Sequence, residues 1–339
     1  MSEVLVTGGA GFIGSHVADA LLARGHRVTV LDDLSGGFTQ NVPASADFVQ
    51  GDVADAALVN RLFSDRRFDY VFHFAAYAAE GLSHYIKRFN YTNNVLGSVT
   101  LLNAAINGGV KCFVFTSSIA VYGSAPELPL TEDTPPRPSD SYGIAKLAVE
   151  QELSASREVF GLDYIVFRPH NVYGERQNIG DRYRNVVGIF MNQILQGRPL
   201  PVFGDGNQTR AFSYIGDVAP LIAESVDRPD AFNQVFNIGA DEPCSVNALA
   251  RAVSLSMGVE PHIAHVPARH EVVHAYSSHD RLRRVFGERP ATPLADGLAR
   301  MASWVRAHGA RETPAFAGIE VMKNFPEAWL SVSPGRSRT

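Results

Sequence analysis

Residues 7–14 read Thr-Gly-Gly-Ala-Gly-Phe-Ile-Gly, after an apolar strand pattern at 4–6 and at the start of an amphipathic helical one at 13–24. The glycines satisfy two overlapping spacings. Gly9, Gly11 and Gly14 fit GxGxxG, and Gly8, Gly11 and Gly14 fit GxxGxxG. Glycine at these points allows a tight turn and close approach of the backbone to a pyrophosphate, and the helix N-terminus adds unpaired N–H groups. Alone such a turn is a weak signal, but here it has the required context, a strand before it and a helix after it. Asp32 closes the next strand pattern, 27–31. A carboxylate there accepts from adenosine ribose hydroxyls and repels a 2′-phosphate, so the expected ligand is NAD rather than NADP. Asp33 either shares that role or is solvated.

The same alternation continues. Strand patterns at 48–49, 70–74, 111–116 and 164–168 are separated by helical patterns at 57–63, 93–107 and 142–160. This predicts an α/β fold, a Rossmann-type doubly wound parallel sheet with helices on both faces. At 339 residues, 45% hydrophobic and 19% charged, the chain can bury a large core and build two units around one cleft. The pattern loosens after Tyr173. An NAD-binding Rossmann domain is expected over 1–173, re-entered at about 211–240, where a helix is predicted after Asp217. A smaller mixed α/β substrate-binding lobe is expected from 174–210 and 241–311, and the tail 312–339 is given no assignment.

A formal charge of −5 does not suggest a nucleic-acid partner, and an anionic substrate requires arginines to be gathered locally. The two cysteines, Cys112 and Cys244, have no CxxC neighbour, so no metal is expected. No signal-peptide pattern precedes the first strand and no apolar run nears the ~18 residues of a membrane span, so the expected location is cytoplasmic, away from membranes.

Tyr142-Gly143-Ile144-Ala145-Lys146 puts a phenol and an ammonium on one helix face. A free phenol titrates near ~10, and lowering that by ~3 units takes roughly 4 kcal/mol, within reach of two cations, the ammonium and an oxidised nicotinamide ring. Alone, YxxxK also describes an ordinary surface helix. The hydroxyl run Thr116-Ser117-Ser118 at the end of the 111–116 strand supplies context, because the C-terminal ends of parallel strands face the ligand crevice. Ser118 can then hydrogen-bond the oxygen that Tyr142 deprotonates. Asp52, after the third strand, fits either an acceptor for the adenine amino group or a turn-capping residue.

Segments 7–14, 32–34, 51–53, 73–76, 93–95, 116–123, 142–146 and 168–174 together resemble the extended short-chain dehydrogenase/reductase family, and within it the nucleotide-sugar epimerases. The resemblance implies that Phe74, Ala75, Ala76, Asn94, Thr116 and Pro169 lie along the cofactor, with Phe12, Ile13 and Val53 beside it. Dehydratases of the family resemble one another in an acidic pair where this chain has Ile119 and Ala120, and the decarboxylases in a Glu at Ala120. No general acid for elimination is therefore expected, which leaves oxidation at C4, reorientation and re-reduction of a UDP-hexose. The resemblance places Arg210, Arg269 with Glu271, and Asn171 at the diphosphate, Asn185 and Val186 beside the uracil, and Phe203 as a stacking neighbour of the base.

Arg176, Arg182 and Arg184 are then surplus, and guanidinium grips carboxylate better than it serves a neutral hydroxymethyl group. Segments 77–83 and 178–185 also look like the UDP-glucuronate 4-epimerases of moenomycin-type antibiotic pathways, although other glucuronate 4-epimerases carry Arg where this chain has Asn178. UDP-glucuronate, giving UDP-galacturonate, is the expected substrate. UDP-glucose/UDP-galactose epimerisation is the alternative, followed by a net oxidoreductase or a silent cofactor-binding regulator. Family members pair through two helices, so 93–107 and 142–160 are candidates for a homodimer interface.

Overall fold

The computed structural model describes residues 1–330. Its centre is a sheet of seven strands: β1 (Glu3–Thr7), β2 (Arg27–Asp32), β3 (Asp47–Gln50), β4 (Tyr70–His73), β5 (Cys112–Thr116), β6 (Asp163–Pro169) and β7 (Gln234–Ile238). The order is β7-β6-β5-β4-β1-β2-β3 and every pairing is parallel. After β3 the chain returns to the other side of β1. Thr7 is thus registered against Leu31 on one side and His73 on the other. The crevice beyond the strand ends at such a reversal is where ligands bind in open α/β sheets.

Side chains alternate along each strand. Val4, Val6, Val28, Val30 and Val114 join one core layer, while Leu5, Leu31, Phe113 and Phe115 join the other. Both layers are covered, so β5 is buried along its whole length and reads as one apolar run. Helix α1 (Phe12–Ala23) and Ile215–Glu224 cover the first face, and Ala56–Asp65, Gly97–Asn107 and Ser141–Phe160 the second. The re-entrant helix starts at Ile215. Asp217 falls in its first turn, where the carboxylate accepts from the Thr292 N–H and hydroxyl, both at 2.8 Å. The 93–107 pattern divides: a π turn at Thr92–Leu96 precedes the α-helix, and Gly97 packs against Val53 where a Cβ would come within 2.8 Å.

A smaller C-terminal domain sits over the strand ends. It contains the parallel pair Leu200–Phe203 and Ile263–Val266, a three-stranded sheet of Pro243–Ser245, Thr209–Ala211 and His274–Ala275, and helices Val186–Leu195, Val246–Ser256 and Leu294–His308. Among the described residues, no helix is long and apolar enough to cross a membrane, and no group of His, Cys, Asp and Glu is arranged to hold a metal. Tail residues 312–330 fold back onto the body, with Phe316, Ile319, Phe325 and Trp329 joining a cluster around Leu82, Ile86 and Tyr183. Residues 331–339 lie outside the described chain.

Candidate active site

A single cleft runs from the glycine turn to the smaller domain. Gly8, Gly11, Phe12, Ile13 and Gly14 line one end. Gly8 has φ +69°, and a Cβ there would lie 2.6 Å from the Ala75 nitrogen. At Gly14 a Cβ would lie 2.3 Å from the Gly8 carbonyl oxygen. Gly11 caps α1 with no side-chain hydrogen bond, so the first-turn N–H groups of a 12-residue helix are left for a ligand. Asp32 and Asp33 line the cleft beside this turn. Asp32 accepts from the N–H groups of Ala10 at 3.0 Å and Leu34 at 2.8 Å, and burial raises its pKa. A carboxylate has about four acceptor sites, so it retains capacity for hydroxyl donors. Asp33 accepts from the Ser35 N–H and hydroxyl at 2.8 and 2.7 Å, and Asp52 accepts from the Ala54 N–H at 2.8 Å.

Asp52, Val53, Phe74, Ala75 and Ala76 line the same wall, as do Thr116 and Pro169. The buried Thr116 hydroxyl has no hydrogen-bond partner among the described residues. An orphaned buried hydroxyl in the cleft that also holds the glycine turn fits a polar ligand that supplies the missing bond. Asn94 is different. It is buried behind the lining, where its amide accepts from the Tyr77 N–H at 2.8 Å and donates to the Tyr77 carbonyl at 3.1 Å and to Asn90 at 2.8 Å. Its two donors are engaged, so it clamps the loop after β4 from just outside the cleft lining.

Ser118, Tyr142 and Lys146 meet midway along the cleft. Asp140 caps the helix Ser141–Phe160 by accepting from the Gly143 N–H at 2.8 Å, which fixes where Tyr142 emerges. Ser118 lies beside the phenol and favours its ionised form. Lys146 donates to the Thr116 carbonyl at 2.8 Å, and burial pushes its ammonium down to about 7, opposed by Glu150. The phenol is under opposing influences. Burial, then Glu80 and Asp140, raise its pKa well above the tyrosine range, while Ser118 and Arg184 pull the other way.

At the far end, Asn171, Asn185 and Val186 line the cleft with Phe203, Arg210, Arg269 and Glu271. Asn171 and Asn185 adopt left-handed backbone, φ 41° and 66°, a conformation asparagine tolerates better than most residues. Arg210 donates to the carbonyls of Thr209 at 2.8 Å, Val273 at 2.9 Å and Val272. Arg269 binds Glu271 at 3.0 Å and lies 4.4 Å from the Phe203 ring centre. Of the three surplus arginines only Arg184 lines the cleft. Its Nε donates to Asp181 at 2.7 Å and its guanidinium lies 4.8 Å from the Tyr77 ring centre. Arg176 turns away to pair with Asp19 on α1 at 2.6 Å, and Arg182 is outside the lining.

Two carboxyl groups were not anticipated. Glu80 and Asp140 both line the cleft, so the absence of acids at Ile119 and Ala120 does not leave it without one. Glu80 opens onto the cleft, but the protein crowding it and then Asp140 push its carboxyl up to about 7, against the pull of Arg210 and Arg269. Neither residue belongs to a spacing motif. Each is brought in by a loop, Glu80 after β4 and Asp140 as a helix cap.

A model of the NAD dependent epimerase/dehydratase family matches residues 4–239. A UDP-glucose 4-epimerase of Mycolicibacterium smegmatis is 36% identical over 312 residues, 90% of this chain and 98% of its own. The crystal structure of UDP-glucose 4-epimerase with UDP-glucose from Thermotoga maritima is similar with a TM-score of 0.86 at 35% identity, over 90% of this chain and 99% of that one. The Bacillus cereus UDP-glucuronic acid 4-epimerase, in complex with UDP-glucuronic acid and NAD, is similar with a TM-score of 0.82 at 27% identity, over 90% and 99%.

Proposed function

The chain belongs to the NAD dependent epimerase/dehydratase family, and on that footing we propose that it is a UDP-sugar 4-epimerase acting on UDP-glucuronate to give UDP-galacturonate. The observation that carries the reaction is the meeting of Ser118, Tyr142 and Lys146 at the end of β5, in the same cleft as the glycine turn. NAD, when bound, supplies a hydride acceptor that later returns the hydride, and a positive ring that favours the phenolate. Tyr142 takes the C4 hydroxyl proton and gives it back after the 4-keto hexose has turned over. Ser118, beside the phenol, shares the C4 oxygen with it. Lys146, tethered to Thr116, stays beside the phenol throughout. Arg210 and Arg269 hold the diphosphate, so the hexose can swing while the nucleotide stays fixed.

Two observations support the acidic sugar. Arg184 lines the cleft within electrostatic reach of Tyr142, and a solved relative at 27% identity holds UDP-glucuronic acid. The neutral alternative, UDP-glucose/UDP-galactose, is favoured by the names of relatives such as the M. smegmatis and T. maritima enzymes. Chromatographic separation of the C4 isomers formed from each substrate tests the choice. UDP-galacturonate formed with the larger kcat/KM supports the proposal, and turnover of UDP-glucose alone would sink it.

A further inference from the structure

The tail after Arg311 follows no motif, yet it is tied to both halves of the molecule. At its start Asn192 accepts from the Arg311 N–H and donates to the Arg311 carbonyl, each at 2.9 Å. The Arg311 guanidinium then lies 4.2 Å from the ring centre of Phe38, in the loop after β2. Further on, Glu320 accepts from the N–H groups of Arg88 at 2.8 Å and Phe89 at 3.1 Å, while its own N–H donates to the Tyr85 carbonyl at 2.8 Å. Tyr85 answers by donating its hydroxyl to the Asn324 carbonyl at 2.8 Å.

The segment ends on Trp329, which is only 6% exposed. On one side the indole meets Gly81, where a Cβ would approach it to 3.2 Å, and Tyr85. On the other it meets Tyr183 at 5.3 Å and Phe203 at 6.4 Å between ring centres. Arg269 lies against both Phe203 and Trp329, its guanidinium 4.4 and 5.9 Å from the two ring centres. Gly81, Phe203 and Arg269 line the cleft, and Trp329 stands directly behind them. Burial of an indole against a guanidinium restricts the rotamers of a long side chain that otherwise loses entropy on binding.

We propose that residues 312–330 are a strap across the cleft's nucleotide end, and that Trp329 is a positioning residue which presets Arg269 and Phe203 to receive the diphosphate and base of the UDP-sugar. This rests on the UDP-sugar assignment made above and adds the segment that organises that subsite. Trp329 touches no reacting atom. Its effect falls on binding, not on the Ser118–Tyr142 chemistry.

The test is calorimetric titration of the NAD-loaded, full-length protein with UDP alone, followed by steady-state kinetics. Trp329→Ala weakens UDP binding and raises KM by about tenfold, with kcat within about twofold and NAD content unchanged, and Trp329→Phe recovers most of the loss. In an Arg269→Ala background the same substitution costs less than in the wild type, because one of the two residues it positions is gone. Unchanged UDP affinity, or fully additive losses, would overturn the proposal. If Trp329→Ala fails to fold, Glu320→Gln loosens the strap from its exposed side. Weaker UDP binding at unchanged NAD content then supports the proposal, and wild-type affinity overturns it. Failure of the wild-type protein to bind UDP at all would instead overturn the UDP-sugar assignment beneath it.

Discussion

The Lys146 ammonium lies 5.7 Å from the centre of the Tyr142 ring and spends a hydrogen bond on the Thr116 carbonyl at 2.8 Å. The pair is adjacent, yet the lysine is not the largest influence on the phenol. Burial and two carboxylates dominate Tyr142 instead. In the proposed mechanism the positive nicotinamide ring is the second cation that favours the phenolate. Tyr142→Phe lowers kcat by roughly two to four powers of ten, the usual worth of a positioned general base, while NAD stays bound. Near-normal turnover by that variant would remove Tyr142 from its role.

Glu80 is the largest charged contributor to the raised Tyr142 pKa. It is itself pushed up to about 7, so it exerts its full charge only above that pH. Glu80→Gln removes a negative charge that favours the protonated phenol. The phenol then ionises at lower pH, and the acid limb of the kcat/KM profile moves down. A limb that stays in place or moves up would contradict the electrostatic ordering given for the site.

Arg184 and Arg182 are two residues apart, and only the first lines the cleft. Arg184→Ala costs UDP-glucuronate turnover about tenfold or more relative to UDP-glucose, because the carboxylate loses a charged partner. Arg182→Ala changes that ratio little. Competition kinetics with both sugars checks this, and equal losses on the two sugars from Arg184→Ala would count against the acidic substrate.

Glu150 and Arg168 form a buried bidentate pair, 2.9 and 2.5 Å, that also takes the Ser117 hydroxyl at 2.5 Å and the Tyr122 hydroxyl at 2.7 Å. This network links β5, β6 and the catalytic helix just behind Ser118 and Lys146. Glu150→Gln leaves the guanidinium without a buried counter-charge and destabilises the fold by roughly 3–5 kcal/mol. Because Glu150 opposes the downward shift of Lys146, the ammonium also loses its proton at still lower pH. Denaturant unfolding measures the first effect.

Much of this was legible because it follows from local pattern. The alternation of Val4, Leu5 and Val6 between two core layers is a strand read at period two, and the glycines at 8, 11 and 14 sit where the turn folds onto its own backbone and onto the loop after β4. Six of the seven sheet strands have such patterns. The seventh, β7, joins β6 from far along the chain, and the sequence marks only its neighbourhood. Placement of side chains by loops was not legible. Glu80 and Asp140 reach the cleft through a loop and a cap, Arg176 is diverted to Asp19, and Asn94 is consumed by the Tyr77 backbone. The tail was unreadable because its apolar residues, Phe316, Phe325 and Trp329, have no helical or strand period and find their partners in segments distant in the sequence, around Leu82, Ile86 and Tyr183.

The central claim is that hydride leaves C4 and returns to C4 within one cleft, with no net oxidation. Proton NMR of the product from UDP-glucuronate carrying deuterium at C4 measures this directly. The predicted result is UDP-galacturonate with the deuterium still on the inverted C4 and no reduced nicotinamide released. Loss of the label to solvent, or reduced nicotinamide accumulating with turnover, would contradict it.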